Sequence, residues 1–129
     1  MNSTDLDLAG RVIGAAIRVH TELGPGFLES FYEEALCIEL QILGIEFKRQ
    51  LLVPVRYRNA VIGEHRIDLL VENELTLELK AIDGFDAIHF ITLRSYLKAT
   101  NCSVGLLLNF AAATLQVKRV GREWHSRIA

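Results

Sequence analysis

Apolar positions recur at helical spacing in the first part of this chain, then give way to alternation and unbroken apolar runs. Ile13, Ala16, Ile17 and His20 fall near a 3.6-residue period, so the spacing predicts a helix from about Leu6 to Leu23, capped by Thr4 or Asp5. Gly24-Pro25-Gly26 breaks the chain before a second helical pattern from about Leu28 to Leu43, which ends at Gly44. Phe47 to Tyr57 reads as a strand, with Pro54 marking an edge or a bulge. Residues Arg58 to Gly63 are expected to turn the chain into a second strand around Arg66–Val71, and Leu75–Lys80 reads as a third. A helix follows from Asp86 to Thr100, with Ile88, Ile91, Leu93 and Tyr96 as its apolar contacts. Val104 to Phe110 is continuously apolar, as a central strand covered on both faces should be, and Leu115 to Val120 is the last strand. The helix between the Leu75 and Val104 strands makes a crossover, so those two strands are expected to be parallel. The pattern predicts an α/β fold: a mixed β-sheet flanked by helices, with two helices at the N-terminus.

Two strands in this pattern carry charges where apolar residues belong. Asp68 interrupts Arg66-Ile67-Asp68-Leu69-Leu70-Val71, and Glu78 and Lys80 interrupt Leu75-Thr76-Leu77-Glu78-Leu79-Lys80. Charges inside strands cost free energy unless they are paired, solvated or hold a metal. If Glu72-Asn73-Glu74 is the connecting loop, Val71 pairs with Leu75, Leu69 with Leu77, and Asp68 with Glu78. One face then becomes a leucine layer and the other presents Asp68, Glu78 and Lys80. A one-residue slip would put Asp68 among the leucines, so the hydrophobic pattern favours the converging register. Two carboxylates placed so closely repel unless one is protonated or a cation sits between them. Mg²⁺, which binds through one or two carboxylates plus water and phosphate oxygens, suits them, with Lys80 beside it to position water or offset developing charge. The same residues could also be ordinary surface charges on an exposed antiparallel face.

Composition narrows the class. At 129 residues and 50% hydrophobic, the chain suits one domain spanning 1–129 with a single core. It has no apolar run near the length of a membrane span, and its first residues lack the basic start and apolar block of a secretion signal, so a cytoplasmic location is expected. Cys37 and Cys102 show no metal-ligand spacing and read as buried reduced thiols. A net charge of −2 argues against strong nonspecific affinity for nucleic acid. Positive charge is nonetheless concentrated at Lys48-Arg49, Arg56, Arg58 and Arg66, and again at Lys118-Arg119, Arg122 and Arg127. His20, His65 and His125 show no ligand spacing, and Trp124 reads as an anchor for the tail or a dimer contact.

Gly26, Glu29 and Tyr32 recur at three-residue spacing at the start of the second helix, which keeps them on one side of its first turns. Gly26-x-x-Glu29-x-x-Tyr32, with Arg66-Ile67-Asp68-Leu69 and Glu78-Leu79-Lys80-Ala81, resembles the GxxExxY proteins of the PD-(D/E)xK nuclease-like superfamily. Ser95 to Thr100 and Val104 to Phe110 resemble that family's downstream blocks, so the likeness runs from about Ile13 to Val120. It implies a restriction-endonuclease-like core and a Mg²⁺-dependent site, with Mn²⁺ as a substitute, hydrolysing phosphodiester bonds of DNA or RNA. Asp68 and Glu78 would be the metal ligands, Lys80 the catalytic lysine, and Glu29 the acidic residue from the N-terminal helix. Tyr32, His89 and Tyr96 are candidates for lining the pocket, and each could equally serve the core or a helix surface. Related families often place glutamine four residues before the tyrosine of the following helix, where this chain has Thr92. That departure leaves open a catalytically inactive nucleic-acid- or protein-binding module that keeps the fold. So small a domain carries no separate recognition module, so specificity is expected to need a homodimer or another partner.

Overall fold

The computed structural model describes residues 7–122. Its elements in chain order are α1 (Leu8–Leu23), α2 (Glu29–Ile42), β1 (Phe47–Tyr57), β2 (Ala60–Val71), β3 (Leu75–Lys80), α3 (Ala87–Thr100), β4 (Val104–Asn109) and β5 (Gln116–Gly121). The strands form one sheet in the order β1-β2-β3-β4-β5. β3 and β4 are parallel and every other neighbouring pair is antiparallel, as the helical crossover requires. The result is the α/β mixed sheet flanked by helices that the pattern predicts, consistent with the restriction-endonuclease-like core that the resemblance implies.

Helices cover both faces because the leucine-rich strands are apolar on both. Leu69, Val71, Leu75, Leu77, Leu79, Leu106 and Leu108 pack under α1 and α2, together with Tyr32, Leu36, Leu40 and Phe110. Leu70, Leu107 and Val120 face the other way, against Leu93 and Leu97 of α3. Gly105 lets α3 approach closely. A Cβ there would lie 3.0 Å from the Thr76 carbonyl oxygen and 3.0 Å from a Leu97 methyl.

Several local expectations change in the folded chain. Helix α1 begins at Leu8 because Asp7 caps it, its Oδ1 accepting the Gly10 N–H at 2.7 Å. Thr4, Asp5, Trp124, His125 and Arg127 lie outside the described residues. On α1 the buried row is Ala9, Val12, Ala16 and Val19, whereas Ile17 is exposed. On α3, Ile88 and Ile91 also face solvent, because the i, i+4 pair Leu93 and Leu97 takes the sheet side. The first hairpin turns on two residues rather than six: Arg58 and Asn59 have φ of 48° and 71°, the left-handed pair a tight hairpin needs. β2 therefore starts at Ala60, and Pro54 sits on the edge strand β1, next to a bulge between Val55 and Arg56. Cys37 and Cys102 are free and buried.

Candidate active site

The second hairpin has the expected register, with Val71 opposite Leu75 and Leu69 opposite Leu77. The ladder ends there: Asp68 and Glu78 are not a bonded strand pair. Their side chains bridge the two diverging strands instead. Asp68 Oδ2 accepts the Leu79 N–H at 2.9 Å, and Glu78 Oε1 accepts the Asp68 N–H at 3.4 Å. Each carboxylate thus satisfies a main-chain donor left where the ladder opens.

Burial and crowding set the charge state of the pair. Desolvation, then the negative charge of Asp68, push the Glu78 carboxyl up to about 8. The N–H of Asp68 and the ammonium of Lys80 oppose this rise, and Glu29 adds to it. The Asp68 carboxyl is also raised, chiefly by burial, against the Leu79 hydrogen bond. Lys80 thus acts on both carboxylates, and among the described residues no carboxylate lies within ion-pairing distance of its ammonium. Tyr96 is half-buried against the His65 ring, with centroids 4.5 Å apart. Burial first, then the charges of Glu78 and Asp68, raise its pKa and keep the phenol protonated.

The glycine-to-tyrosine segment acts mechanically. Gly26 has φ of 114°, a conformation that only glycine adopts readily. Tyr32 is fully buried, stacked on Phe110, and its hydroxyl donates to the Gly24 carbonyl at 2.6 Å while accepting the Phe27 N–H at 3.1 Å. That hydroxyl closes the loop between α1 and α2 and is committed to backbone rather than to the carboxylates. The loop so held lets Glu29 reach across the end of β3, where its Oε2 accepts the Ala81 N–H at 3.1 Å. His89 faces its own helix terminus: Nδ1 accepts the Asp86 N–H at 2.8 Å. Asp68, Glu78, Lys80, Glu29 and Tyr96 therefore converge, while Tyr32 and His89 bind backbone elsewhere.

Three residues that sequence reasoning passed over also serve this region. Glu33, one turn beyond Glu29, is buried and raises the Asp68 pKa by its charge; the i, i+4 spacing from Glu29 was the available signal. Gln50 donates both to Glu33 Oε1 at 2.8 Å and to Asp68 Oδ1 at 3.4 Å. Asn109, at the end of β4, accepts the Ile82 N–H at 3.0 Å and donates to the Ile82 carbonyl at 2.9 Å, which holds the chain leaving β3. Two of the basic residues seen in the sequence are engaged with acids. Arg49 contacts Glu33 and Glu34, both at 2.9 Å, and Arg119 contacts Asp7 at 2.9 Å.

Among the described residues no group of three or more His, Cys, Asp or Glu side chains is gathered to hold a metal. The donor set fits a hard divalent cation on two carboxylates, with water and substrate oxygens completing its shell. Two crowded carboxyls, Glu78 pushed up to about 8 and Asp68 raised as well, are an arrangement that a cation would relieve.

The diverging hairpin brings Asp68, Glu78 and Lys80 together where β2 and β3 part, on the α3 side of the sheet. The model of the PD-(D/E)XK nuclease superfamily matches residues 6–120, and the chain belongs to that superfamily. No curated protein matches it. The chain is similar to a solved structure titled "Crystal structure of SSO0001", at 13% identity and a TM-score of 0.48, covering 88% of this chain and 67% of that one. No helix of the described residues is long and apolar enough to cross a membrane.

Proposed function

We propose that this protein is a divalent-metal-dependent nuclease that hydrolyses phosphodiester bonds of DNA or RNA, of the GxxExxY kind. Superfamily membership supports the reading, and the observation that carries it is the meeting of Asp68 and Glu78 where β2 and β3 part. Asp68 and Glu78 would hold Mg²⁺, or Mn²⁺ in its place; when bound, the cation supplies Lewis acidity toward phosphate and lowers the pKa of water. Lys80 would hold the attacking water or offset the negative charge that develops on the phosphate. Glu29, fixed by the Ala81 N–H, is the acidic residue that would orient that water. Tyr96, kept protonated, can donate to a phosphate oxygen. The same reading includes one domain, a cytoplasmic location and specificity supplied by a homodimer or by another partner; a monodisperse monomer by light scattering would count against the homodimer.

The test is cleavage of single- and double-stranded DNA and RNA with Mg²⁺, Mn²⁺ or EDTA. Expected is metal-dependent cleavage that Asp68→Ala or Lys80→Ala lowers at least about a hundredfold, the scale on which one acid–base or electrostatic group contributes. Binding without cleavage under every metal would replace the enzyme with a binding module.

A further inference from the structure

We infer that Gln50 is a positioning residue that sets where the Asp68 carboxylate points by tying it to Glu33 of α2. The inference rests on the metal-site reading of Asp68 and Glu78. Its starting point is a backbone anomaly. Gln50 has φ of 46° within β1, a left-handed conformation that is strained for a non-glycine residue. The ladder on either side is regular, with Arg49 opposite Leu69 and Leu51 opposite Ile67. The position between, where Gln50 faces Asp68, drops out of the pairing without shifting the register. This left-handed residue stands opposite the candidate metal ligand, well away from the bulge between Val55 and Arg56.

The side chain shows what the distortion accomplishes. A primary amide has two N–H donors on one nitrogen, so it can serve two carboxylates at once. Gln50 Nε2 does so, at 2.8 Å from Glu33 Oε1 and 3.4 Å from Asp68 Oδ1. Glu33 is a firm anchor: it is buried, and its other oxygen accepts from Arg49 Nε at 3.2 Å and from an Arg49 terminal nitrogen at 2.9 Å. Asp68 is then held from two sides, Oδ1 by Gln50 of β1 and Oδ2 by the Leu79 N–H of β3. Without the amide, Glu33 would act on Asp68 only by repulsion. Outer partners that fix a ligand's orientation govern metal affinity, commonly by tenfold or more.

Gln50 is exposed, so replacing it opens no core cavity. Gln50→Gly removes the amide and relaxes the left-handed backbone; Gln50→Ala removes the amide and keeps the strain. Hydrogen exchange of the Leu79 amide by NMR, without metal, reads whether Asp68 has come loose, and Mn²⁺ titration by calorimetry reads the ligand. Both variants are expected to speed Leu79 exchange and to weaken Mn²⁺ binding about tenfold, with only the alanine variant less thermally stable. Leu79 exchange within about twofold of wild type in Gln50→Gly overturns the inference. So does faster exchange with unchanged Mn²⁺ affinity, because the clamp would then serve the fold alone. A wild-type protein that binds no Mn²⁺ sinks the metal-site reading, and the positioning role with it, before any variant is compared.

Discussion

Glu78 carries the largest electrostatic cost among the candidate site residues. Its pKa is raised from the ordinary 4.5 to about 8, so the folded chain holds this proton more tightly than the unfolded one. The stability this contributes is fully present below about pH 4.5 and is lost as pH rises through 8. Asp68 shifts in the same direction and adds to the slope. Glu78→Gln, neutral at every pH, should therefore match wild type near pH 5 and exceed it near pH 9, by on the order of a few kcal/mol. Melting curves across that range check this. Parallel curves for the two proteins would mean that Glu78 ionises as freely folded as unfolded. Asp68, Glu78 and Lys80 could be found in the sequence because charge inside an apolar strand is conspicuous. Gln50 and Asn109 could not, since a polar residue at a strand end or edge is ordinary until the fold shows what faces it.

Elements explain why the two carboxylates meet at all. β2 and β3 pair over three positions and then separate, because β2 continues with β1 as a long hairpin while β3 runs on beside β4. The leucine alternation fixed which side chains share a face and the register up to Leu69 and Leu77; it carried no information about where the ladder would stop. The tight turn at Arg58-Asn59 was likewise masked by the apolar Ala60-Val61-Ile62 that follows, where no periodicity marks the strand's start. On the opposite face, α3 sits over Gly105, where an added methyl would press on the Thr76 carbonyl and on Leu93 and Leu97. Gly105→Ala is expected to lower stability by about 1–3 kcal/mol, the range for overpacking a filled contact. Chemical denaturation checks it, and an unchanged midpoint would show that α3 can slide away at little cost.

In the whole molecule, folding and cation binding are linked. A cation that binds only the folded chain stabilises it, by about 2.7 kcal/mol at a hundredfold excess over Kd. Because Glu78 must lose its proton to ligate, Mg²⁺ or Mn²⁺ should raise the melting temperature more above pH 8 than below it. Asp68→Asn should abolish the shift at either pH. A cation effect independent of pH would place the ion somewhere other than on Glu78.

The order of helices and strands, the two-sided apolar strands and the identity of the charged triad were determined locally. Each follows from the periodicity of burial along a few consecutive residues. Where the sheet opens, which turn of α2 looks into that opening, and which bond each carboxylate oxygen accepts were decided only by tertiary structure. Those features depend on residues far apart in the chain, such as Glu33, Gln50, Asp68 and Leu79, whose mutual distances no local pattern encodes.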